Sequence, residues 1–249
     1  MLLRRLSQSL KDQNWTAISI EFVLLVLGVF LGIQVANWNS ERENRLRERT
    51  YLATLAEDIR SDVVEIDRIL RVSTVRMSAL NYLIRNATGQ ALPASFESAR
   101  GRIEIEDAPA FDEQDPNTIG VTLFILSNLD GNRLTYDTMI NTDGISLFRD
   151  PTFVRAIRSY YANVDAVLSF EESLMDSRWK LVDAQQQAGL SPVDVMSATE
   201  ITKVFAGNKQ LLAAAKNYWI YTNRHMKEMK ALRRHADTLL KRLASEKRP

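Results

Sequence analysis

The sequence predicts a mainly all-α protein, an N-terminal transmembrane helix followed by a soluble antiparallel bundle of long helices. Three observations predict it. Residues 22–33 are an unbroken apolar run within Ile18–Ala36, and a bilayer-spanning helix takes about 20 mainly apolar residues. Three later stretches repeat apolar residues at three- and four-residue steps. Only nine glycines and six prolines occur, mostly outside those stretches, which favours long helices.

Residues 1–14 carry Leu2, Leu3, Leu6 and Leu10 among Arg4, Arg5 and Lys11, the pattern of a short basic amphipathic leader at a membrane surface or of a basic tail. The expected span is 15–39, bracketed by Trp15 and Trp38, and tryptophan favours membrane–water interfaces. A cleaved signal peptide fits less well, because Gln34 stands where a small residue is wanted before a cut at Ala36. A buried core helix is the remaining alternative. At 100° per residue Glu21, Gly28, Gly32 and Asn39 share one line, and Gly28 and Gly32 form a GxxxG pair. These four are the expected helix–helix association stripe; alternatively, Glu21 reaches headgroup water and the glycines are incidental. Basic residues flank the span almost evenly. The basic leader before the first hydrophobic segment resembles a signal anchor, which places the main domain outside the cytoplasm.

Residues 40–51 read as a charged helical stalk, and 52–249 as the soluble helical-bundle domain, with an irregular segment at 88–150. Leu52, Leu55, Ile59, Val63, Ile66, Leu70, Met77, Leu80 and Ile84 mark one buried face, and Gly89 with Pro93 ends that helix. Residues 94–118 are acidic and read as a solvated loop, since they lack the ligand spacing of a calcium loop. Ile119–Leu126 is a short strand or a short core helix. Thr135–Ile140 reads as a short helix ended at Asp143-Gly144. Asp150 then caps a helix that has Pro151 at its first position and runs to about Ala188. Ser191-Pro192 is expected to start a helix to Phe205. A last helix spans about Lys209–Ser245 on a stripe from Leu211 to Leu243 that includes Tyr218, Thr222 and His225.

Two stretches carry a resemblance. The span ends in Asn37, Trp38 and Asn39, and Thr135, Tyr136, Gly144, Leu147, Phe148, Asp150, Tyr160 and Tyr161 punctuate residues 135–161. Together they resemble a group of uncharacterised bacterial single-pass membrane proteins. The resemblance implies an envelope protein of the bacterial inner membrane with a helical domain, and implies no activity.

Composition narrows the function classes. A net charge of +1 argues against a protein built chiefly to bind nucleic acid. The absence of cysteine excludes disulfides and thiol catalysis, and two histidines ten residues apart do not make a zinc site, so no metal and no cofactor are expected. No serine, threonine or acidic residue lies in a GxSxG, SxxK, HExxH or P-loop context, so a non-enzymatic role is expected. Tyr160, Tyr161, Trp179, Tyr218, Trp219 and Tyr221 are the candidate ligand aromatics, with core filling as the alternative. The expected partners are the lipid bilayer and a second copy or another membrane protein. The sequence identifies no small-molecule ligand. The expected roles are an interaction or sensory module, or else a structural scaffold of the envelope. Residues 224–249 hold nine Lys/Arg against three Asp/Glu, a surface for anionic headgroups or simply a solvated basic tail.

Overall fold

The computed structural model describes residues 15–99, 101–113, 119–191 and 196–246, apart from the side chains of 15–18 and Val121. The leader at 1–14 lies outside the described residues. The chain forms two compact units, Met1–Thr50 and Tyr51–Pro249.

The first unit is helical from Trp15, the start of α1 (Trp15–Thr88). Among the described residues, one helix is long and apolar enough to cross a membrane, and it lies near the N-terminus. Its most apolar window has a mean hydropathy of 2.2, and none of that window is buried. Trp38 is 63 % exposed. The following residues to Thr50 are polar apart from the exposed Leu46, with a Glu41–Arg45 pair at 3.4 Å one turn apart. Gly28 and Gly32 have open space where a Cβ would stand.

The second unit is built on three long helices: the part of α1 from Tyr51 onward, α4 (Pro151–Gln187) and α6 (Lys209–Glu246). Every residue of the expected Leu211–Leu243 stripe is buried. α1 stops at Thr88 because Gly89 takes φ +65°, a conformation open to glycine, and its N–H closes the last turn on Arg85 O at 2.9 Å. At the start of α4 the Asp150 carboxylate accepts from Thr152 N at 2.8 Å, with Pro151 in the first turn.

The bundle is not antiparallel throughout. Leu52–Ile69 of α1 pack with Phe153–Val167 of α4 and Met229–Leu243 of α6. Met77–Ile84 pack with Leu174–Ala184 and Leu211–Met226. So α1 and α4 run the same way, and α6 runs against both. The segment 89–150 makes this possible by returning along α1 before α4 begins. Its contacts step backward: Pro109 O accepts from Ser78, Ile125 O from Arg76, and the Asn132 N–H meets Asp62.

That returning segment has more structure than expected. Two short strands, β1 (Ser95–Ser98) and β2 (Gly101–Glu104), pair antiparallel, with Phe96 opposite Ile103. The apolar run at 119–126 resolves as a helix, α2 (Ile119–Phe124), not a strand. α3 (Leu134–Asn141) and a 3₁₀ turn (Gly144–Leu147) follow. The Gly144 backbone lies so close to Tyr51 that a Cβ there would fall 2.6 Å from its ring. Of the stretch expected to be helical from Ser191-Pro192 to Phe205, α5 (Ala198–Gly207) is described. Residues 192–195 lie outside the described residues, and Met196 and Ser197 are not helical. A reciprocal capping box at Ser197 and Glu200 sets the start of α5.

Candidate functional site

The two apolar clusters of the bundle do not merge. On α1 the first ends at Ile69 and the second begins at Met77; on α4 the corresponding residues are Val167 and Leu174, on α6 Met229 and Met226. Where they part, and on into the second cluster, each helix also turns polar side chains inward. α1 contributes Ser73 and Arg76, α4 contributes the buried Glu171 and the half-buried Arg178, and α6 contributes Tyr218, Thr222 and His225. Helical spacing explains the convergence, because 73 and 76, 171 and 178, and 218, 222 and 225 each fall on one face.

Glu171 is the hinge of this layer. Its Oε1 lies 2.8 Å from His225 Nε2, and both carboxylate oxygens accept from Leu129 N at 3.1 Å. One buried carboxylate therefore joins α4, α6 and the returning segment. Arg76 is 0 % exposed, and its Nη2 donates to Ile125 O at 2.9 Å. Arg178 Nη2 donates to the neighbouring carbonyl, Phe124 O, at 2.8 Å, while its guanidinium stacks over Phe124 and Trp179. Burial pushes the Arg76 pKa down; Arg178 adds to the drop, and Tyr218 and Glu171 oppose it.

A row of carboxylates continues along α1. Glu65 accepts from Asp130 N at 3.1 Å, Asp62 from Asn132 N at 2.7 Å and Asp58 from Thr135 N at 3.0 Å. Residues 124–135 are thus held by side chains at both polarities, arginines on carbonyls and carboxylates on N–H groups. This satisfies backbone groups from the end of α2 through the irregular connection to the first turn of α3. Asp62 also accepts from Tyr160 OH at 2.7 Å. Burial raises the Asp62 pKa above its ordinary 3.8, against the bonds from Asn132 and Tyr160, which lower it; Glu65 and Asp58 add to the rise. A raised folded pKa means that protonation favours the fold. The resulting stability is complete below the unfolded pKa and is lost as pH rises through the folded one. Asp62→Asn is therefore expected to remove a pH-dependent difference. Relative to the variant, wild type becomes more stable between neutral pH and about pH 4. Urea midpoints of both proteins at pH 7 and 4.5 check this, and a gap independent of pH would refute it.

The six candidate aromatics do not form one cluster. Tyr160 and Tyr161 meet edge to face at 5.1 Å in the first apolar cluster, and Tyr136 stacks on Tyr161 at 4.2 Å. Tyr218 and Trp219 belong to the second, where Trp219 Nε1 donates to Asn81 at 2.7 Å. Tyr221 stacks on Phe170, and Trp179 is 50 % exposed. The basic C-terminal helix spends much of its charge on ion pairs. Arg233 meets Asp67 at 2.9 Å, Arg242 meets Asp150 at 2.7 Å, and Lys230 meets Glu106. Among the described residues, no group of three or more His, Asp or Glu side chains is placed to hold a metal ion.

Arg76 and Glu171 escaped sequence reading, although a signal existed. Arg76 falls on the inward stripe between Ile69 and Leu80, and Glu171 on the one between Val167 and Leu174. A charge at a stripe position marks a buried polar site when a neighbouring helix carries its complement.

Residues 21–90, which carry the apolar window, the carboxylate row and Arg76, match a family of unknown function, DUF6090. No curated protein and no solved structure matches the chain.

Proposed function

We propose that this protein is a membrane-anchored, non-enzymatic interaction or sensory module of the bacterial inner membrane, single-pass, with its main domain in the periplasm. The observation that carries the reading is the apolar window near the N-terminus, which no part of the chain covers among the described residues. So large an exposed apolar surface needs lipid or a partner helix. The chemistry-bearing side chains support the non-enzymatic part. Glu171, His225, Arg76 and the α1 carboxylates are engaged in holding residues 124–135. Association through the stripe of Glu21, Gly28, Gly32 and Asn39 completes the proposal, because open space at both glycines lets a second helix approach closely. A scaffold role in the envelope is the alternative, and a stoichiometric membrane partner on co-purification would favour it.

In-membrane crosslinking of the full chain tests the association. Gly28→Leu with Gly32→Leu is expected to lower the crosslinked fraction several-fold; equal crosslinking would remove the stripe from the proposal.

A further inference from the structure

The polar layer that begins where the two apolar clusters part holds more positive charge and more donors than its protein acceptors satisfy. Arg76 and Arg178 place their guanidiniums on adjacent carbonyls, Ile125 O and Phe124 O, so two like charges sit side by side. The carboxylate that acts on Arg76, Glu171, is already shared between His225 and Leu129 N. Arg76 keeps Nε and Nη1 without a protein partner, Arg178 keeps Nε, and all three atoms are buried. The hydroxyls of Ser73, Tyr218 and Thr222 are buried and unpartnered as well. Ser73, Arg76, Tyr218 and Thr222 are each 0 % exposed. An uncompensated charge in such a place is costly, and buried donors seek an acceptor.

We propose that this layer binds one small monovalent anion, of the size of a halide or formate, between the free guanidinium edges of Arg76 and Arg178. The hydroxyls of Ser73, Tyr218 and Thr222 supply further donors. The anion offsets the excess positive charge and links α1, α4 and α6 at the level where their apolar cores part. The apolar side chains packed around the layer and the Glu171 carboxylate that acts on Arg76 favour a small, singly charged occupant over a larger or multiply charged one.

The full chain in detergent is unfolded thermally in gluconate buffer at constant ionic strength, with increasing chloride, bromide or formate. The expected result is a saturable rise in Tm, about 5 °C or more at a hundred times Kd. Halides alone raising Tm identify a halide site; formate acting equally identifies a general small-anion site. Thr222→Val with Ser73→Ala keeps the shape of the layer, removes two donors, and is expected to shift the titration to at least several-fold higher halide. Arg76→Met is expected to abolish the anion dependence. If Arg76→Met does not fold, the hydroxyl pair decides. A Tm equal in all four anions overturns the proposal and leaves water as the occupant. An anion effect unchanged in the variants overturns it too, as a general salt effect.

Discussion

Glu171→Ala is expected to destabilise the second unit by about 3–5 kcal/mol, the usual scale for removing one partner from a buried ionic contact. The loss has three sources. The Leu129 N–H loses both oxygens that it reaches at 3.1 Å, and His225 loses its 2.8 Å partner. The Arg76 guanidinium loses the negative charge that opposes the burial-driven drop in its pKa. Glu171→Gln keeps one acceptor and the side-chain volume, so its cost is expected to be smaller. Urea unfolding of the full chain in detergent, followed by far-ultraviolet circular dichroism, measures both variants. A loss below about 1 kcal/mol for Glu171→Ala, the scale of one ordinary hydrogen bond, would show that the layer does not hold the returning segment to the bundle.

Leu25→Arg with Val29→Arg is expected to move the protein from the carbonate-resistant membrane pellet to the supernatant. Both positions lie in the exposed apolar window, one helical turn apart. An arginine near the centre of a span costs about 2.5–3.5 kcal/mol on insertion scales, so two cost roughly 5–7 kcal/mol. That outweighs the margin of a single span, whereas Leu25→Ala with Val29→Ala is expected to stay in the pellet. If the double arginine variant pellets with wild type, the window is not the anchor, and a partner surface must account for its exposure.

These two variants probe different kinds of knowledge. The apolar window was readable because a membrane span is a property of consecutive residues, as are helix ends. Asp150-Pro151 and Gly89 stand where α4 begins and α1 ends, because capping depends on residues a few positions apart. A capping box is equally local: Ser197 and Glu200, three positions apart, are reciprocally hydrogen-bonded where α5 begins. The strand pair of β1 and β2 was hidden by its acidic composition, since a pair of four-residue strands leaves little periodicity to read.

By itself, the sequence determined that this chain is mainly helical, that one segment suits a bilayer, and which face of each long helix turns inward. Periodicity reports a direction around a helix axis and nothing about what lies opposite. Only the tertiary structure decided that α1 and α4 run in the same direction, because residues 89–150 return the full length of the bundle. It also decided that Arg76, Glu171 and His225, far apart in the chain, meet in one buried layer. A buried charge tolerates its place only where partners from other elements arrive at the same depth, and that depth is set by how the helices pack.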